Sequence, residues 1–182
     1  MKKIIVFIMA VGAVALANAA AVDWSASAVL DPVATAANGK NTGANGWLGY
    51  LIMASDLDAI TADLANGNTA SLVANAVGAT KTTNNKGAFL TGVPTGNVAA
   101  GSQSFYMIVL NAGSTDAAKA YYVSQMVTKE IDASLDTTIA FLSQAANSKN
   151  ADNWKAMGVP EPTSAMLMLV GLAGLALRRR RA

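Results

Sequence analysis

Two uncharged apolar runs, one near each end and each beside a cluster of positive charge, decide how much of this chain can build a core in water. Near the start, Lys2 and Lys3 precede an apolar stretch over residues 4–16. Near the end, residues 163–177 carry no charge, and Arg178, Arg179, Arg180 and Arg181 follow. A soluble domain gains nothing from an exposed apolar tail, which is an aggregation hazard. Both runs therefore belong to another environment, and the residues between them must supply whatever folds in water. That interval is long enough for one domain of ordinary size.

The first run has the three-part layout of a secretory signal peptide: a basic start, an apolar centre, and small residues Ala17, Asn18 and Ala19 in an A-x-A pattern. Cleavage between Ala19 and Ala20 is the expectation, giving a signal peptide over residues 1–19; a cut after Ala21 is the neighbouring alternative. A retained anchor is disfavoured because the apolar centre is shorter than the roughly 20 residues a membrane span requires.

Setting the ends aside changes the electrostatics. The whole chain has 13 basic and 11 acidic residues, a formal net charge of +2. Six of the basic residues lie in the two ends, which leaves seven lysines. All the acids except Glu161 lie in the body, which gives it a net charge of −3. Nucleic-acid binding needs a clustered basic face on the folded part, so that class is excluded. The chain has no cysteine and no histidine. Disulfides, thiolate or imidazole metal sites, and Ser/His or Cys/His catalysis go with them.

The second run is fifteen residues long, about 22 Å as a helix, short for a hydrocarbon core of about 30 Å. The arginines on one side of it snorkel and resist translocation, which keeps that side in the cytoplasm. On the other side stand Val159, Pro160, Glu161, Pro162 and Thr163. Two prolines around one residue cannot start far inside a helix, so this stretch stays extended and open to a processing enzyme.

Pro160-Glu161-Pro162-Thr163, a short apolar helix and a closing arginine cluster closely resemble the PEP-CTERM sorting signal of Gram-negative bacteria, over residues 159–182. The resemblance implies an exosortase, a membrane transpeptidase, as the partner that cleaves near Pro160–Pro162. It also implies transient retention in the inner membrane, then transfer to the cell surface or the extracellular matrix. A plain single-pass anchor shares the topology without the enzyme.

The body, residues 20–158, is read from periodicity. Val22, Trp24, Ala26, Ala28 and Leu30 alternate with polar residues, the period-2 signature of a strand with one buried face. After Asp31-Pro32 and a run of turn residues over 38–46, residues 47–53 predict a second strand, the two together suggesting a hairpin with a long connection. Residues 105–110, 121–129 and 137–143 predict three more, and an antiparallel meander is the simplest topology. Residues 153–157 are expected to lay Trp154 on the sheet. Between the second and third strands the period becomes helical. Ser55 followed by Asp58 is a weak capping box leading into Leu57, Ile60 and Leu64 on one face, and a second helix is expected over residues 70–77. Residues 78–101, rich in Gly, Thr and Asn, read as a mobile loop. The fold class expected is mainly β: a small antiparallel sheet or sandwich with a short two-helix insertion.

Candidate chemistry in the body is sparse. Asp56 and Asp58 lack the six or more oxygens of a hard-cation loop and suit a helix N-terminus instead. Ser102, Ser104, Ser124 and Ser143 carry no motif that would pair one of them with a lysine as nucleophile and base. Trp24, Trp47, Tyr50, Tyr106, Tyr121, Tyr122 and Trp154 could form a carbohydrate platform, though core packing explains them more simply. The expectation is a non-enzymatic exported protein with no catalytic residue, no metal and no cofactor. A carbohydrate-binding or adhesive module, with an exopolysaccharide as partner, is the alternative.

Overall fold

The computed structural model describes residues 19–20, 22–27, 29–38, 43–83, 88–89, 98–142 and 144–158. The centre of the expected signal peptide, Pro160, Glu161, Pro162, Thr163, the expected tail helix and the four arginines lie outside them. Among the described residues no helix is long and apolar enough to cross a membrane.

The fold is mainly β. In chain order the strands are β1 (Ala19–Ala20), β2 (Val22–Ala26), β3 (Leu48–Met53), β4 (Gly78–Thr83), β5 (Ala88–Phe89), β6 (Val98–Ala99), β7 (Gly101–Leu110), β8 (Ala120–Val123), β9 (Val127–Ile131), β10 (Thr137–Phe141) and β11 (Trp154–Ala156). The helices are α1 (Pro32–Asn38), α2 (Leu57–Ala65), α3 (Ala70–Asn75) and α4 (Ala145–Ser148). The main sheet has seven strands in the order β11-β8-β7-β3-β4-β5, with β9 also on β7, and every pairing in it is antiparallel.

Alternation of apolar residues gives this sheet two buried faces. From β3, β7 and β8, the residues Leu51, Phe105, Met107, Val109 and Tyr122 point to one side. There they pack with Val22 and Trp24 of β2 and Ile139 and Phe141 of β10. Tyr50, Ile52, Ile108, Leu110 and Tyr121 point to the other side, against Ile60 and Leu64 of α2 and Leu72 of α3. The order of layers is therefore a strand pair, the main sheet, and two helices. The expected two-helix insertion is in place between β3 and β4, and Gly67, at φ 76°, ends α2 in a left-handed turn that favours glycine.

Four expectations need correction. First, β2 and β3 do not form a hairpin. Among the described residues the stretches that follow β2 and precede β3 share an isolated bridge, Leu30 to Gly43, and β2 instead pairs in parallel with β10, Trp24 facing Ile139. A parallel pair needs a long crossover, and here nearly the whole domain serves as one; the meander ends at β9. Second, the long connection expected between the two strands carries a helix over Pro32–Asn38. Asp31 caps it, its Oδ1 accepting the N–H groups of Val33 and Ala34 at 2.9 and 3.1 Å, and Pro32 takes the first helical position where no N–H is needed.

Third, the stretch read as a loop contains β4, β5 and β6. Thr80, Thr82 and Thr83 are β-branched and fit a pleated surface. Fourth, residues 121–129 are two strands. Ile108 faces Val123 and Phe105 faces Val127, so two residues of β7 stand opposite Ser124, Gln125 and Met126, a β-bulge. Ser124 repairs the ladder: its N–H donates to the Met107 carbonyl, and its Oγ accepts the Met107 N–H, both at 2.9 Å.

Candidate functional site

The edge strand β11 is where the body gathers aromatic, polar and chain-exit features. Trp154 faces Tyr122 across the β8–β11 ladder. Its ring lies 5.5 Å from that of Tyr122 and 5.3 Å, edge to face, from that of Trp47. Trp47 is held by β4: its N–H donates to Thr82 Oγ1 and its carbonyl accepts the Thr82 N–H.

Behind the rings runs a buried polar chain. Tyr122 Oη donates to Gln144 Oε1 at 2.8 Å, and Gln144 Nε2 donates to the Leu142 carbonyl. Ser148 Oγ donates to the Gln144 carbonyl and accepts the Leu30 N–H, while Trp154 Nε1 donates to the Ser148 carbonyl at 2.7 Å. Gln144 and Ser148 are both buried, and these bonds, from Tyr122 and from backbone groups, are what make that burial affordable. Burial pushes the Tyr122 hydroxyl up to about 12, and raises those of Tyr50 and Tyr121.

Two clefts flank this strand. One, of about 160 Å³, is mostly apolar, lined by Pro32, Val33, Trp47, Ala120 and Trp154 together with Asp31 and Asn111. Val33 is 74% exposed. The other, about 380 Å³ and more open, is polar: Gln125, Asn147, Asp152, Asn153 and Lys155 line it. Of the seven aromatic candidates, Trp24, Tyr50, Tyr121 and Tyr122 are core residues, while Trp47, Tyr106 and Trp154 are half-buried.

The other candidates are scattered. Ser104 bonds Thr128 across β7 and β9 at 2.8 Å, Ser102 is exposed, Ser124 serves the bulge, and Ser143 lies outside the described residues. Asp58 stands in the first turn of α2, and Asp56 precedes it without a side-chain cap bond. The Ser55 capping box is thus absent, because Ser55 sits one residue early, in a 3-10 turn over Ala54–Asp56. Ala19 and Ala20 form β1, in register with Ala99 and Val98 of β6. Ala20 is 3% exposed and belongs to the core. A cut after Ala19 keeps that residue in the product; a cut after Ala21 removes it.

The chain leaves the body beside α2. Met157 is 8% exposed within the helix-side core, and its N–H donates to the Lys119 carbonyl at 2.8 Å. The Gly158 N–H donates to the Leu64 carbonyl at 3.2 Å. A Cβ on Gly158 would stand 2.4 Å from the Ala65 carbonyl oxygen and under 3 Å from the Asn66 backbone. Only glycine fits there. Nothing in the sequence marked this seat, since a glycine before Val-Pro reads as ordinary turn chemistry.

No curated protein and no solved structure matches this chain. Residues 158–181 match the family model of the PEP-CTERM protein-sorting motif, so the match starts on the glycine that the body holds. The motif implies an exported protein of a Gram-negative bacterium and recognition by an exosortase: at its C-terminal side, this chain carries a PEP-CTERM protein-sorting motif.

Proposed function

We propose that the chain is a non-enzymatic component of the cell surface or extracellular matrix. In this reading residues 1–19 direct export, the apolar run over 163–177 and the four arginines retain the C-terminal side in the inner membrane, and an exosortase releases the body by cutting near Pro160, Glu161 and Pro162. The observation that carries the reading is the match over residues 158–181, directly abutting a body packed as far as Gly158. Deleting the exosortase gene of the producing cell tests it: uncleaved protein should accumulate in the membrane fraction. Unchanged release would contradict the reading.

A second reading, a carbohydrate-binding or adhesive body, is favoured by one arrangement. Trp47 and Trp154 wall a cleft beside a second cleft lined with amide, carboxylate and ammonium groups, the mixture of apolar face and hydrogen-bonding edge that a sugar presents. Purified protein should then bind the producing cell's own polysaccharide and lose that binding with Lys155→Ala and Asp152→Ala, which touch the polar cleft without entering the core. Absence of binding leaves the structural-component reading alone.

A further inference from the structure

We propose that the surface around the Gly158 seat, formed by the C-terminal end of α2 and the loop before β8, is the face that the body lays on a phospholipid surface while its tail is inserted. The proposal rests on the membrane reading of residues 163–177 made above.

The seat fixes where the tether starts. Met157 is buried, Gly158 is bonded to Leu64, and the backbone of Ala65 and Asn66 closes over it, so the chain cannot swing from a point further back without breaking these contacts. From Gly158 to Thr163, the first residue of the uncharged run, five extended steps span at most about 18 Å. The headgroup layer takes roughly 5–7 Å of that. A body of this length has a radius of gyration near 14 Å, so the remaining reach is less than its own width. It cannot turn over on such a tether. Ala65, Asn66 and Lys119 are exposed at the seat; Asp63 near the end of α2 and the exposed Asp116 in the loop before β8 share this face, so the short tether, and not charge, is what lays it on the lipid. The opposite layer, where Thr138 of β10 is exposed, is held across the main sheet, away from the lipid.

The absence of cysteine makes the test direct. The full chain carrying Ala65→Cys, Lys119→Cys or Thr138→Cys, each labelled with a fluorophore, is reconstituted into vesicles of phosphatidylethanolamine and phosphatidylglycerol containing a headgroup-nitroxide quencher. No exosortase is present, so contact with the enzyme cannot imitate contact with lipid. Quenching should be several-fold stronger at positions 65 and 119 than at 138. A Gly/Ser linker of about ten residues inserted after Gly158 should abolish the difference. Equal quenching at all three positions overturns the proposed face and leaves the inserted tail standing. No quenching at any position overturns both.

Discussion

Position 158 lacks a side chain for a steric reason, since a methyl group would have to share space with the Ala65 carbonyl. Gly158→Ala must lift the strand end or shift α2, at an expected cost of about 1–3 kcal/mol, measurable as a lower urea midpoint. Tyr122 makes a different claim at the same scale. Its hydroxyl titrates near 12 in the folded chain against about 10 when unfolded, so the unfolded state loses its proton first as pH rises. The stabilisation is complete below pH 10 and is lost between pH 10 and 12. Denaturant midpoints should therefore fall across that window, and Tyr122→Phe should flatten part of the fall; an unchanged slope would show that Tyr122 is not the group responsible. Trp154 on the sheet was legible in the sequence from its place in a short β-prone segment. Gln144 and Ser148 were not, because a buried amide and hydroxyl whose partners are a distant tyrosine and backbone groups look, in sequence, like the polar residues of a loop.

At the scale of elements, alternation revealed strands but not partners. Val22, Trp24 and Ala26 announce one buried face, and β2 has one, yet nothing local says that the face belongs against a layer completed by β10. Long-range parallel pairing leaves no turn signal between its strands. β4 was missed for the opposite reason: its threonines carry strand propensity but little hydrophobicity, so a pattern based on burial passes over them. The bulge at Ser124 was hidden because the residues around it are as β-prone as a continuous strand. Ser124→Ala leaves the buried Met107 N–H without its acceptor and should cost about 1–3 kcal/mol. Asp31→Ala removes the cap of α1 and should cost about 1 kcal/mol, with frayed amide protection confined to residues 32–38. Global loss of protection in the Asp31 variant would mean that α1 is integral to the core instead of an appendage of β2.

For the whole molecule, the sorting motif over residues 158–181 was more legible than the body. A sorting signal is read by length, charge and a short motif, all of which are linear properties, whereas the body's partner depends on which side chains converge after folding. Parts of the signal should separate by function. Replacing Arg178, Arg179, Arg180 and Arg181 with Ser removes the charges that resist translocation, so a tag placed after residue 182 should become accessible to external protease. Glu161→Ala should leave that tag protected and block only the cut. Identical behaviour of the two variants would mean that retention and recognition are not divided between these residues. The central claim is that the folded body is released from its own membrane tail at the motif that begins where the body ends. Intact-mass measurement of the protein recovered outside the producing cell tests it most directly. The expected species starts near Ala20, ends at or close to Pro160, Glu161 or Pro162, and lacks the arginines; an extracellular product that still carries Arg178, Arg179, Arg180 and Arg181 would contradict it.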